Sequence, residues 1–137
     1  TLQRDYSVNL GNIIVDEDGV GGGLVDILRC KGFTNNARPL KGENYSNMKT
    51  QVYYKMASMM NKGQVSLSSA KDIELKNTII QELEQVKRTK IDSDAKLSML
   101  SKDKVKEMLG RSPDYSDAIA MRFYYEIRSN VGRYSLI

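Results

Sequence analysis

Apolar positions along the chain change their spacing several times, and each change predicts an element. Asn12-Ile13-Ile14-Val15-Asp16 is a β-branched run that predicts a buried strand ending at Asp16. Gly19 to Gly23 interrupts it. Leu24, Val25, Ile27 and Leu28 then follow at helical spacing, with Lys31-Gly32 as the expected stop. A second helix is predicted from near Asn44, with Tyr45, Met48, Val52, Met56, Met59 and Met60 on one face and Gly63 at its end. Methionines can make a soft binding surface, but this spacing predicts core. Gln64-Val65-Ser66-Leu67 alternates like a strand. Ser68 or Ser69 can cap a third helix with Ile73, Ile79, Ile80, Leu83 and Val86 inside. Lys96 to Leu100 alternates again, predicting another short strand. Ser101 or Lys102 begins a brief helix through Val105 and Leu109 that Gly110 stops. Ser112-Pro113 opens the last helix, with Ser112 as N-cap, running to about Ser129. Strands alternating with helices predict an α/β domain.

Composition narrows the chemistry. The chain of 137 residues fits one domain, 1–137, and its two prolines leave no proline-rich linker. Residues 1–11 read as the remnant of an element that started earlier. No apolar run reaches the ~18 residues of a membrane span, and no secretory signal pattern is present. Histidine is absent, which excludes Ser-His-Asp and Cys-His catalysis and imidazole zinc sites. Cys30 stands alone, so no internal disulfide forms; a reducing cytosol fits, with Cys30 expected as a small buried hydrophobe on a helix. Of the net charge of +4, residues 1–50 contribute none, with six basic and six acidic side chains. Residues 51–137 hold 15 basic against 11 acidic, which permits a nucleic-acid partner and equally describes a solvated lysine-rich surface.

Chemistry must therefore come from carboxylates, hydroxyls, lysine, or a metal held by oxygen. The first candidate is Asp16-Glu17-Asp18 followed by the glycine cluster, at the carboxyl end of a strand where ligands of α/β sheets sit. Leu24 stands where a dinucleotide fingerprint needs its third glycine, and no phosphate-loop G-K-[ST] occurs, which excludes an ATP-driven motor. A calcium loop lacks its closing glutamate. A hard-metal site on Asp16 and an acidic turn without ligand both remain. The second candidate is Asp114 and Asp117, three apart in the first turn of the last helix. They either complement the helix dipole or face a common cation. If the two acidic places converge, their repulsion calls for cations. Two hard ions ~3.5–4 Å apart suit phosphodiester hydrolysis, clamping the attacking and leaving oxygens. Oxygen ligands favour Mg²⁺ or Mn²⁺.

These residues carry a resemblance. I-I-V-D-E-D-G-V-G-G-G-L-V-D-I-L at 13–28, R-P-L at 38–40, N-Y-S-N-M-K-T-Q at 44–51 and K-L-S-M-L-S-K-D-K-V-K-E-M-L-G-R-S-P-D-Y-S-D-A-I-A-M at 96–121 resemble the C-terminal nuclease domain of large terminase subunits from tailed bacteriophages and prophages. The resemblance spans roughly residues 12–127. It implies a three-layer ribonuclease H-like α/β fold and a two-metal endonuclease that cuts concatemeric viral DNA during genome packaging. Asp16, Asp117 and Asp114 would be catalytic and, with Asp18, would hold Mg²⁺ or Mn²⁺. Lys102, Lys104 and Arg111 would touch the DNA backbone. The family's first acidic strand has no counterpart in residues 1–11, where Asp5 sits in a polar context. The chain is thus expected to lack the N-terminal strands, to bind metal weakly and to cut little by itself. Its expected partners are double-stranded DNA and other terminase or portal subunits in the cytoplasm of a bacterial host, with no membrane, and self-association through an unpaired sheet edge. A non-catalytic DNA- or subunit-binding module and another ribonuclease H-like enzyme, such as a junction resolvase, are the competing readings.

Overall fold

A computed structural model describes residues 2–18, 21–67, 71–89 and 96–128. Helix α1 covers Leu2–Asp5, and a 3-10 turn covers Leu10–Asn12. Strand β1 is Ile14–Asp16, helix α2 Gly21–Leu28 and strand β2 Lys31–Phe33. The long helix α3 is Met48–Asn61, followed by α4, Ile73–Glu84, and α5, Lys102–Leu109. Helices α6, Asp114–Arg122, and α7, Tyr124–Arg128, complete the order.

β1 and β2 pair in parallel, Ile14 with Lys31 and Asp16 with Phe33, and α2 is the crossover that parallel pairing requires. The predicted strand to Asp16 is thus present, two residues shorter at its start. The glycine cluster is not simply a break, because Gly21, Gly22 and Gly23 form the first turn of α2. Gly21 is there for proximity: a Cβ would collide with the carbonyl oxygen of Asp16. Gly19 and Val20 lie outside the described residues. Lys31-Gly32 does not close the helix but belongs to β2. The stop is Arg29, whose left-handed φ of 52° turns the chain so that β2 can lie beside β1. Cys30 is half-buried in that connection rather than on a helix.

α3 follows its pattern from Met48 on, but it begins four residues after the expected Asn44, and Tyr45 lies ahead of it in a bridge to Leu97. Asn47 caps it by accepting the Thr50 N–H at 2.9 Å, and Gly63, at φ 66°, closes its far end. Met48, Val52, Tyr53 and Met56 are buried with Phe33, Ala120, Phe123, Tyr124 and Ile127, while Met59 and Met60 pack at the margin. The methionine stripe is core. Phe33 carries the sheet into this cluster, its ring edge-on to Tyr124 with centroids 6.3 Å apart. The Tyr125 hydroxyl donates to the Ile13 carbonyl at 3.1 Å and ties α7 to β1. Gln51, also buried, clasps the 3-10 turn Leu40–Gly42: its side-chain oxygen accepts the Leu40 N–H at 2.7 Å and its amide donates to the Leu40 carbonyl at 3.0 Å. Two separate motifs, R-P-L and N-Y-S-N-M-K-T-Q, are thereby one structural unit.

Elsewhere the periodicity misled. Gln64–Leu67 is irregular chain. Val65 packs against the core, which explains the alternation, but the backbone N–H of Gln64 closes α3 on Met59 and no ladder partner lies alongside among the described residues. α4 begins at Asp72, which accepts the N–H groups of Glu74 and Leu75, while Ser68 and Ser69 lie outside the described residues. Ile79 is buried there, but Ile73 and Ile80 are exposed. Lys96–Leu100 is extended without being a strand. It makes one bridge on each side, Leu97 to Tyr45 and Met99 to Arg88. α5 matches its prediction: Ser101 caps it and Gly110, at φ 72°, ends it.

The last helix is two. Phe123 bonds back to Ala120 in 3-10 fashion at 3.0 Å, so the turn tightens between α6 and α7. Ser112 is not its cap, and the side chain of Pro113 cannot be one. The buried carboxylate of Glu82, from α4, does that work by accepting the Ser116 N–H at 2.7 Å. No helix is long and apolar enough to cross a membrane among the described residues.

Candidate functional site

Two groups of carboxylates flank the start of α3. Asp16 ends β1 because the β-branched run stops there and the chain must turn to reach α2. Asp18 follows in that turn, its N–H held by the Asp16 carboxylate at 3.1 Å. Asn35, just beyond β2, draws both acids together. Its amide donates to Asp16 at 3.2 Å and to Asp18 at 2.7 Å, and its backbone N–H donates to Asp18 at 2.9 Å. No lysine or arginine among the described residues pairs with Asp16 or Asp18.

Asp117 occupies the second place, in the first turn of α6. The Tyr53 hydroxyl donates to it at 2.6 Å, and the Lys49 and Lys102 ammonium groups reach it at 2.7 and 3.2 Å. Burial pushes the Asp117 carboxyl up. The hydrogen bond and charge of Lys49, the Tyr53 hydroxyl and the Lys102 charge outweigh burial and leave it below the ordinary aspartate value. Burial, then the charge and hydrogen bond of Asp117, push the Tyr53 hydroxyl well above its usual range, so Tyr53 stays a donor.

Lys49 links the two places. Its backbone N–H donates to the carbonyl of Asn35 at 3.0 Å, and its ammonium holds Asp117. The Asp16–Asp18 pair, Asn35, Lys49 and Asp117 therefore form one continuous polar array along the seam between the β1–α2–β2 unit and α3–α6. Asp114 is exposed one turn before Asp117 and does not join the array. Among the described residues, no three carboxylate, cysteine or histidine groups gather closely enough to hold a metal ion together.

The expected DNA contacts separate. Lys102 is in the array and 42% exposed. Lys104 lies exposed on α5. Arg111 is tied into the fold: it pairs with the buried Glu82 and donates to the Ser112 carbonyl at 3.2 Å, so its charge balances an interior carboxylate rather than facing a ligand.

Compared with solved structures, the chain superposes on the nuclease domain of the large terminase subunit gp2 of bacterial virus Sf6 with a TM-score of 0.69 and 21% identity, covering 88% of this chain and 67% of that one. A lysine-to-alanine variant of that domain with manganese and beta-thujaplicinol gives 0.69 and 20% over the same shares, and one with calcium gives 0.68 and 20%. This chain has the ribonuclease H-like fold of terminase nuclease domains. No protein-family model and no curated protein sequence matches it.

On this ribonuclease H-like framework, the sequence had pointed to Asp16, Asp18 and Asp117 but not to Asn35, Lys49, Tyr53 or Glu82. Two carried a readable signal. Lys49 is a cation in the first turn of a helix, where the dipole disfavours it, which calls for an acid from elsewhere. Glu82 is an acid one turn after the core residue Ile79, on a face otherwise apolar.

Proposed function

We propose that this chain is the nuclease domain of a DNA-packaging machine and that it hydrolyses phosphodiester bonds of double-stranded DNA with divalent cations. The observation that carries this reading is the acid–Asn35–Lys49–Asp117 array on a fold shared with terminase nuclease domains. The donor set suits a hard cation: Asp16 and Asp18 offer only oxygens, converge on one amide, and pair with no ammonium group among the described residues. Asp16 and Asp18 would hold one Mg²⁺ or Mn²⁺ and Asp117 would serve a second, with Asp114 one turn away as a further carboxylate, since the three acids do not gather round a single ion among the described residues. Bound there, the ions would activate water and stabilise charge on the scissile phosphate. The chain's own contribution is placement. Asn35 fixes the two acids of the β1 turn, Tyr53 and Lys49 orient Asp117, and Lys102 and Lys104 supply positive charge for the DNA backbone. Other packaging subunits are the partners this function implies.

The test is Mn²⁺ titration of the chain, followed by paramagnetic line broadening. Signals of Asp16, Asp18, Asn35 and Asp117 should vanish first, and slow nicking of supercoiled plasmid should require Mn²⁺ and disappear in Asp16→Asn. Broadening confined to other residues, or nicking that survives Asp16→Asn, would remove the site from the reaction. A second reading is a non-catalytic DNA- or subunit-binding module, favoured by the two lysines that already neutralise Asp117 and the lack of a three-acid cluster among the described residues. Salt-dependent DNA binding indifferent to metal would support it.

A further inference from the structure

Ala57 follows Tyr53 and Tyr54 by one turn of α3, so the three share a flank of the helix. That flank is one side of a cavity of about 180 Å³. Val86 and Met99, which also pack against the core, form the other side. The Tyr54 hydroxyl is buried and the Tyr53 hydroxyl is engaged by Asp117, so both tyrosines offer the cavity their rings rather than donors. The far wall is pinned by its own backbone. The N–H of Leu100 donates to the Lys87 carbonyl at 2.9 Å, and that of Thr89 to the Ser98 carbonyl at 3.2 Å. Lys87 and Arg88 line the same cavity with exposed side chains, which gives an apolar interior a cationic rim.

We infer that this cavity docks an acidic segment of a partner protein, with one aromatic side chain entering it and neighbouring carboxylates meeting Lys87 and Arg88. This holds whether or not the carboxylates of the polar array cut DNA. An apolar cavity of roughly 150 Å³ holds a benzene molecule, so there is room here for one phenylalanine ring. The rings of Tyr53 and Tyr54 and the sulfur of Met99 are favourable neighbours for it. A preformed pocket that takes a single aromatic anchor concentrates binding energy in few residues, and a pinned wall lowers the cost of ordering it. The two cations of the rim select acidic neighbours by complementarity. Duplex DNA is the competing occupant of a basic rim. Its bases are paired and stacked, however, and a thymine methyl is the one apolar group that their edges present, too small to fill the cavity. A peptide projects a whole side chain.

The probe is a short end-blocked peptide with one phenylalanine between pairs of glutamates, titrated into the isotope-labelled chain and followed by NMR. Saturable shifts are expected at Ala57, Val86, Arg88 and Met99. The same peptide with glycine in place of phenylalanine should bind about tenfold more weakly. Two substitutions should weaken the phenylalanine peptide by a similar factor of about ten. Ala57→Trp fills the cavity from an exposed helix position, and Arg88→Glu reverses the rim while leaving the backbone bonds of the wall in place. Arg4→Glu reverses the same charge on α1, outside the cavity, and should change binding by no more than about twofold. Thermal melting confirms that each variant folds, and the glycine peptide tests the anchor without altering the protein. No saturable shift, or equal binding of the two peptides, would overturn the docking site. Equal weakening by Arg4→Glu and Arg88→Glu would overturn it by showing diffuse charge attraction. Tighter binding of single-stranded oligothymidylate than of the peptide, lost in Ala57→Trp, would overturn it by making the cavity a pocket for a base.

Discussion

The two halves of the polar seam are built differently. On the α3–α6–α7 side every functional group stands on a packed helix: Lys49 and Tyr53 rise from the same helix as the buried Met48, Val52 and Met56, and Asp117 lies next to the buried Ser116. On the β1–α2 side none of the described residues is fully buried; Leu24 is 47% exposed and Ile27 79%. Asp117 is thus fixed by a core, whereas Asp16 and Asp18 are fixed by hydrogen bonds from Asn35 and by the approach of Gly21. Packing holds a side chain against many neighbours at once, while a hydrogen-bonded turn depends on a few atoms. The β1 turn is therefore the half whose geometry a bound cation has most to gain by ordering.

Substitutions can break or sharpen that contrast. The largest effects belong to the packed half. Phe33→Ala should cost about 3–5 kcal/mol in urea unfolding, because it opens a cavity between β2 and Tyr124. Glu82→Ala should cost a similar ~3–5 kcal/mol by leaving the Arg111 charge and the Ser116 N–H without their partner. If either proves near neutral, α6 is not held as described. Next comes Gly21→Ala. The added methyl meets the Asp16 carbonyl, so a loss of about 1–3 kcal/mol is expected, together with shifted amide signals for Asp16 and Asp18 but not for Tyr53.

The Asp117 cluster gives a smaller, pH-dependent effect. Its carboxyl pKa is depressed in the fold below the ordinary value of 3.8, so the carboxylate stabilises the fold above that pH. This contribution fades as pH falls through the lower folded value. Stability measured from pH 5 down to pH 2 should therefore decline less steeply in Asp117→Asn; identical slopes would remove Asp117 from the acid limb. Smallest of all is Ile27→Ala on the exposed face of α2, expected within ~0.5 kcal/mol by urea titration. A larger loss would mean that α2 is covered in solution.

Much of the helical half was legible in the chain. Asn47, Ser101, Gly63 and Gly110 act through their own backbone neighbourhoods, and the methionine stripe needed only a period of 3.6 to be assigned to the core. Errors arose where a local signal had a non-local answer. Lys31-Gly32 looked like a helix end because Gly commonly ends helices, but parallel pairing with β1 claimed it. Ser112-Pro113 looked like a cap, but a carboxylate 30 residues earlier took the donors of α6. Alternation at 64–67 reported one-sided burial, which a ladder does not have to accompany, while 97–100 is half-buried on both sides and makes only single bridges. The same division runs through the site. Asp16, Asp18 and Asp117 are visible as acids at element ends, while Asn35 and Tyr53 carry no local pattern.

The sequence alone determined which residues can do chemistry here, because the absence of histidine and the single cysteine leave oxygen ligands and lysine. It also determined where α5 begins and ends and where α3 ends, because caps and periodicity act within a turn or two, whereas it set the start of α3 near Asn44, four residues ahead of Met48. Only the tertiary structure decided that Lys49 stands between two acidic places, that Arg111 serves Glu82, and that Asn35 draws Asp16 and Asp18 together. Those outcomes depend on charges from distant segments meeting, and Coulomb and hydrogen-bond energies fall off too steeply with distance for spacing along the chain to reveal them.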